Sequence, residues 1–177
     1  MKKSLLALLF ILFTCLTFCQ ESINVFDISR KGTVEQAKAI FKENPNAFNI
    51  VNDDGFSPLI LACYRGNNEV AKIIIGSGCD INNNSKMGTA LMAAIVKGNN
   101  EIAKLLIEKK ANVHSSDGNG TTALLYAVQF KNYEMASLLI KADADYSVKD
   151  NRGNSALDYA ILANDDKLIE ILKNKKL

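Results

Sequence analysis

The chain has 177 residues, of which 48% are hydrophobic and 23% charged, with no Trp and two Pro. This is the composition of an ordinary globular domain, which excludes a disordered or fibrous protein, and the length suits one domain with a modest core. Without Lys2 and Lys3 the chain has as many basic as acidic residues. It therefore lacks the basic footprint of a protein that binds nucleic acid or an anionic membrane surface.

The first nineteen residues have the layout of a secretory signal peptide. Lys2 and Lys3 form a short basic start, and the stretch from Leu5 to Phe18 is apolar apart from one cysteine and two threonines. This stretch is shorter than the ~20 residues with which a helix spans a bilayer. We therefore predict that residues 1–19 are a signal peptide, cut after Cys19. The mature protein, residues 20–177, would then be periplasmic or secreted in a bacterium.

A lipoprotein is the alternative outcome of the same segment. The sequence from Leu16 to Cys19 is similar to a lipobox, although Phe18 occupies a place where a small residue is usual. Acylation of Cys19 would anchor the protein to the outer or inner membrane and favour a structural or scaffolding role. Without that lipid, we expect no membrane insertion after signal cleavage.

The rest of the chain contains an internal repeat. Leucines recur at positions 59, 91, 124 and 157, at spacings of 32, 33 and 33 residues. Three short motifs recur with them: an apolar run after Ser or Thr, a second apolar run after a segment such as Gly-Asn-Asn-Glu, and a closing segment such as Asp-Ile-Asn. We predict units at about 52–83, 84–116, 117–149 and 150–177, preceded by a degenerate capping unit at about 23–51.

Each unit predicts two helices. The first apolar run follows an N-cap residue, at Ser57, Thr89, Thr122 and Ser155. It contains a small residue that lets neighbouring helices approach, at Ala62, Ala94, Ala127 and Ala160. Gly66 and Gly98 then suit the left-handed end of a helix. The second run has apolar residues at i, i+3 and i+4, as in Val70, Ile73 and Ile74. Because one unit cannot bury this stripe alone, stacking supplies the core.

This pattern resembles the ankyrin repeat, a turn and two antiparallel helices of about 33 residues. The resemblance implies an all-α solenoid of helix–turn–helix units with short β-hairpin loops. It also implies a non-catalytic domain that binds another protein, without a cofactor, and we expect a monomer. Two departures from the family pattern stand out. The unit before Gly88 is one residue short, which predicts a tighter or irregular hairpin. The family's usual histidine after the leucine, which bonds neighbouring units, is replaced by Ile60, Met92, Leu125 and Asp158.

Residues for catalysis or metal binding do not form a motif. His114 is the single histidine and lies in hairpin sequence without the partners of a Ser-His-Asp triad. Two mature cysteines and one histidine lack the spacing of a zinc site. Cys63 and Cys79 take the places of small, buried residues, so we expect free thiols. The alternative is a disulfide within one unit, which an oxidising periplasm permits if the geometry allows it.

The resemblance places a partner across the hairpin tips and the exposed ends of the first helices. Four apolar residues precede the inter-helix turns of successive units, where polar residues are usual: Tyr64, Val96, Phe130 and Leu162. We expect them to align as a ribbon that binds protein; alternatively, they complete the core. The candidate partner-binding residues are Phe56, Tyr64, Arg65, Lys86, Val96, Lys97, Gln129, Phe130, Arg152 and Leu162.

Overall fold

The computed structural model describes residues 24–174, which form five successive helix pairs. The predicted signal peptide and Cys19 lie outside the described residues. The first helices of the pairs are α1 (Val25–Lys31), α3 (Pro58–Arg65), α5 (Ala90–Val96), α7 (Ala123–Gln129) and α9 (Ala156–Leu162). The second helices are α2 (Val34–Glu43), α4 (Asn68–Gly76), α6 (Asn100–Glu108), α8 (Tyr133–Lys141) and α10 (Asp166–Lys173).

The predicted N-caps of the first helices are confirmed. The hydroxyl oxygens of Ser57, Thr89 and Thr122 each accept a hydrogen bond from the backbone N–H three residues later, at 3.2–3.4 Å. Ser155 does the same, and the Asp158 carboxylate accepts from the Ser155 N–H at 2.8 Å, which completes a capping box. The side chain that replaces the family histidine in this unit therefore fixes the start of α9.

In the last four helix pairs the turn between the helices passes through a left-handed residue, as predicted; the turn of the first pair, at Gly32, has a φ of −78°. Gly66 and Gly98 have φ angles of 72° and 68°. Lys131 and Asn164 stand at the corresponding places with φ angles of 53° and 48°. The backbone geometry is therefore the same in all four turns, although only two of them have the residue that adopts it without strain.

The shortened segment before Gly88 forms a tight hairpin, as the sequence predicted. Strand β1 (Asn84–Ser85) pairs antiparallel with β2 (Gly88–Thr89), and Ser85 lies opposite Gly88. Gly88 has a φ of 93°, and a Cβ there would lie 2.4 Å from the Met92 sulfur. The site thus excludes a side chain both by backbone conformation and by space. Single β-bridges join Ser116 to Thr122 and Lys149 to Ser155 in the next two loops.

Stacking of the helix pairs produces one continuous core. Each first helix packs on the first helix of the adjacent pair, and each second helix on the adjacent second helix. The four alanines predicted to allow close approach are completely buried: Ala62, Ala94, Ala127 and Ala160. This arrangement is an all-α solenoid, and the fold prediction is confirmed.

One detail of the predicted core was wrong. Val70 and Ile74 are completely buried, but Ile73 is only partly buried, as is its counterpart Leu105. Ala71 and Ile75 fill the remaining core positions of α4. The second helices are packed on two sides, against their own first helix and the neighbouring second helices, so the buried face is broader than a single stripe and includes a small residue.

Asparagines at the inter-helix turns connect neighbouring units. The Asn67 amide donates to the Gly32 carbonyl at 3.0 Å, and the Asn132 amide donates to Asn100 Oδ1 at 2.7 Å. The Asn99 amide likewise donates to Asn68 Oδ1. These bonds supply polar contacts between neighbouring units of a solenoid that lacks the family histidine. They also give the repeated Asn residues a structural role.

Cys63 and Cys79 are free, buried thiols in the structure. The structure therefore agrees with the expected free thiols and not with the alternative of a disulfide. Burial raises the pKa of Cys63 to about 12 and that of Cys79 to about 11. Both side chains therefore act as small apolar core residues.

Candidate partner-binding groove

An open groove of about 390 Å³, called here the first-helix groove, lies between the first helices and the hairpin tips. Its apolar surface comes from hairpin residues Phe56 and Met87 and from Tyr64, Val96 and Tyr126 on α3, α5 and α7. Met87 is 63% exposed and Tyr64 42% exposed. Side chains from three successive units therefore present apolar surface to solvent at one place.

Cationic side chains surround this apolar surface. Arg30 and Arg65 line the groove, and the Lys97 ammonium lies 4.2 Å from the centre of the Tyr64 ring. That distance is typical of a cation–π contact, which fixes the orientation of the exposed ring. Arg30 also pairs with Asp27 at 3.0 Å.

Tyr126 is held rigidly in the wall of the groove. Its hydroxyl donates to Asp117 Oδ2 at 2.6 Å, while Asp117 Oδ1 accepts from the Asn119 and Thr121 N–H groups. Burial and the neighbouring carboxylate raise the pKa of Tyr126 to about 12. On its other side the ring stacks on Phe130, with ring centres 6.3 Å apart.

The structure brings together only part of the predicted partner-binding set. Phe56, Tyr64, Arg65 and Val96 line the first-helix groove, and Lys97 lies against Tyr64. Gln129, Lys86, Arg152 and Leu162 are exposed but do not line it. Leu162 is 69% exposed on the last described first helix, far along the stack.

The prediction of an aligned ribbon was wrong in one position. Counted from the left-handed turn residues, the place of Tyr64, Val96 and Leu162 in the third full unit is occupied by Gln129, not by Phe130. Phe130 is the C-cap residue of α7 and is 56% exposed. It reaches the groove wall through its stacking on Tyr126, not through repeat equivalence.

Sequence reasoning missed several residues that line the groove, among them Arg30, Met87 and Tyr126. Met87 lies at the turn of the β1–β2 hairpin, and an apolar residue there was a signal that could have been used. Tyr126 follows Asp117 by nine residues, as Tyr159 follows Asp150, and both pairs are hydrogen-bonded. Arg30 belongs to the degenerate first unit, where the repeat pattern gives little guidance.

The residues considered above for catalysis or metal binding do not come together among residues 24–174. This part of the chain contains no group of three or more His, Cys, Asp or Glu side chains that could hold a metal ion. His114 is exposed at the end of a unit, where its backbone N–H donates to Asn112 Oδ1 at 2.9 Å. None of the described helices is both long and apolar enough to cross a membrane.

Family models agree with this geometry. A model of ankyrin repeats in three copies matches residues 26–117, and a second ankyrin-repeat model matches residues 106–160. The chain belongs to the ankyrin-repeat family. The predicted resemblance is therefore confirmed. Ankyrin repeats are protein–protein interaction modules and are generally non-catalytic.

Curated relatives share the repeats but are much longer proteins. The E3 ubiquitin-protein ligase XBAT32 of Arabidopsis thaliana is 43% identical over 103 residues, which is 54% of this chain and 20% of the ligase. The Ankyrin repeat and SAM domain-containing protein 6 of Rattus norvegicus is 30% identical over 102 residues, 56% of this chain and 12% of that protein. The ankyrin chain thus spans about a fifth or less of the relatives that it matches, and the similarity concerns the repeats.

Proposed function

We propose that this ankyrin-repeat protein is an exported interaction module that binds another protein in the first-helix groove. The observation that carries the proposal is the exposed apolar surface around Tyr64 and Met87, which no residue among those described covers. Aromatic, Met and Arg side chains are enriched at protein interfaces. The groove has all three types, in Tyr64, Met87 and Arg65.

Rigidity of the groove supports a binding role. Tyr64 is held under Lys97, and Tyr126 is held between Asp117 and Phe130. Side chains that are already ordered lose little conformational entropy when a partner binds. The hairpin tips are tied to one another as well, since the Gly118 N–H donates to the Lys86 carbonyl at 2.9 Å.

Capture of a partner from a periplasmic extract tests the groove. Immobilised wild-type protein is compared with Tyr64→Ala and with Lys38→Ala, a control on α2 that is exposed and does not line the groove. We expect Tyr64→Ala to weaken capture by about thirtyfold, equivalent to the ~2 kcal/mol of an interface hot spot. Its melting temperature should change little. Unchanged capture by Tyr64→Ala, or equal loss with Lys38→Ala, would refute binding in the groove.

Export is proposed from the basic start and the apolar stretch between Leu5 and Phe18. The full chain is expressed in a bacterium, and the intact mass of the accumulated protein is measured. We expect an N-terminus at or near Gln20 in the periplasmic fraction. Intact Met1 would contradict export. A diacylglyceryl mass on Cys19 would instead support the envelope-anchored lipoprotein.

A further inference from the structure

We propose that the segment bound in the first-helix groove is acidic and inserts an apolar side chain between its acidic residues. The inference rests on the proposed function and specifies the chemistry of the partner. It is carried by the charges around the groove, by the pairing of acidic residues elsewhere on the solenoid, and by the size of the apolar surface.

Positive charge dominates the rim of the groove. Arg30, Arg65 and Lys97 lie at the groove; the acidic residues near them are Asp54, which lines the groove, and Asp27, which pairs with Arg30 at 3.0 Å. Among the described residues, neither Arg65 nor Lys97 has a carboxylate within 4.0 Å. These two cations are therefore available to a partner and are not neutralised within the protein.

Three glutamates are paired with lysines on another part of the surface. Glu69 and Glu101 both contact the Lys72 ammonium, at 2.8 Å each, and Glu134 contacts Lys104. All five side chains belong to the second helices α4, α6 and α8. These acids and lysines neutralise one another on the second helices, whereas Arg65 and Lys97 beside the first-helix groove have no carboxylate within 4.0 Å among the described residues.

The positive surface continues beyond the groove at the next inter-helix turns. A neighbouring depression of about 790 Å³ shares Val96 with the groove and is also lined by Phe130, by Lys97, Lys131 and Lys167, and by one acidic residue, Glu134. Lys131 is 3.9 Å from Asp165, a long ion pair, and Lys167 lies 4.4 Å from the centre of the Tyr133 ring. An acidic segment that leaves the groove over Val96 would pass these lysines and exposed Phe130.

The apolar surface sets the second requirement. A volume of about 390 Å³ is at the lower end of the ~300–1,000 Å³ of small-ligand sites, so it suits one or two large side chains of a peptide segment. In the proposed partner segment, the apolar side chain contributes affinity, while the flanking acidic residues contribute orientation and association rate. Tight and specific binding therefore needs both kinds of residue.

Selection from a random-peptide display library tests the inference. Peptides are enriched on the wild-type chain and counter-selected on Tyr64→Ala. We expect the enriched sequences to combine Asp or Glu with Leu, Phe or another large apolar residue. The most enriched peptide is then titrated by fluorescence anisotropy at increasing salt, and its affinity should fall as salt screens the rim charges.

Charge reversal on the protein tests whether the bound segment is acidic, separately from the question of whether the groove binds a peptide. Arg65→Glu and Lys97→Glu should each weaken that peptide by about tenfold, whereas the matched reversal Lys38→Glu on α2 should change affinity less than about twofold. Circular dichroism and unfolding midpoints confirm that the variants are folded.

Two other results are distinguishable. Enriched peptides without acidic excess, or with affinity unchanged by Arg65→Glu and Lys97→Glu, would overturn the acidic partner while leaving the groove as a binding site. Failure to enrich any peptide on wild type over Tyr64→Ala would overturn both the inference and the proposed function.

Discussion

At the scale of single residues, Lys131 carries the clearest local conflict. It adopts a φ of 53° at the turn between α7 and α8, where Gly66 and Gly98 stand in the preceding units. For a residue with a Cβ, this conformation costs roughly 1–2 kcal/mol. Its ion pair with Asp165, at 3.9 Å and exposed on the lysine side, offsets little of that cost.

Replacement of Lys131 by glycine should stabilise the protein. We expect the free energy of unfolding to rise by about 1 kcal/mol, because relief of the left-handed strain exceeds the added backbone entropy of glycine. The reverse change, Gly98→Lys, should lower it by a similar amount; a Cβ at Gly98 meets nothing within 4 Å, so conformation alone is tested. Urea unfolding of both variants measures the effect. Equal signs for the two changes would contradict this explanation.

The buried cysteines give a second prediction for single residues. Because the thiolate is the reactive form, burial and the raised pKa values of Cys63 and Cys79 should make both unreactive toward Ellman's reagent in the folded protein. In urea both should react. The measurement uses a chain with Cys15→Ser and Cys19→Ser, so that only these two thiols are counted. Thiols that appear in urea only after a reductant is added would show a disulfide instead.

At the scale of the elements, two asparagines before second helices, Asn99 and Asn132, each have two functions. Asn132 Oδ1 accepts from the Met135 N–H at 3.2 Å and so caps α8, while its amide donates to Asn100 in the neighbouring unit. Asn100 donates in turn to Glu134 at 2.7 Å. The Asn132 side chain thus caps the N-terminus of α8 and connects two neighbouring units.

Substitution at Asn132 separates these functions. Asn132→Ala removes both the cap and the bond to Asn100, and should lower the free energy of unfolding by ~2 kcal/mol. Asn132→Ser keeps an oxygen that can cap the helix but is too short to reach Asn100, and should cost about 1 kcal/mol. Denaturant unfolding measures both. If serine costs as much as alanine, the cap contributes nothing and the assignment of two roles fails.

At the scale of the whole molecule, burial depends on having a neighbour on both sides. Leu124 and Leu157 occupy the same position in successive units, yet Leu124 is completely buried and Leu157 only partly. Val128 is 3% exposed, whereas Ile161, its counterpart on α9, is 50% exposed. Interface energy between adjacent units is the main term in the stability of a solenoid.

The same substitution should therefore have different costs along the stack. Leu124→Ala should lower the free energy of unfolding by ~2–5 kcal/mol, since it leaves a cavity between units. Leu157→Ala should cost clearly less, because this side chain is covered on one side only. Circular dichroism during urea unfolding gives both values. Equal costs would show that stacking is not what buries these leucines.

The sequence by itself determined the repeat and the architecture of each unit. N-caps at Ser57, Thr89, Thr122 and Ser155, the left-handed turn at Gly66 and the tight hairpin before Gly88 were all predicted. Each of these features depends on residues that are close together in the chain, so local rules of capping and turn geometry suffice. The alternation of two apolar runs at a 33-residue period then required the units to stack.

Only the tertiary structure decided which side chains form the groove. Arg30, Phe56, Met87 and Tyr126 come from four different units and from different positions within them, and they meet because stacking places these units side by side. Phe130 shows the limit of reasoning by repeat position: its place at the groove wall follows from stacking on Tyr126. Such contacts depend on side-chain orientation and on the exact register between units, which composition and periodicity do not encode.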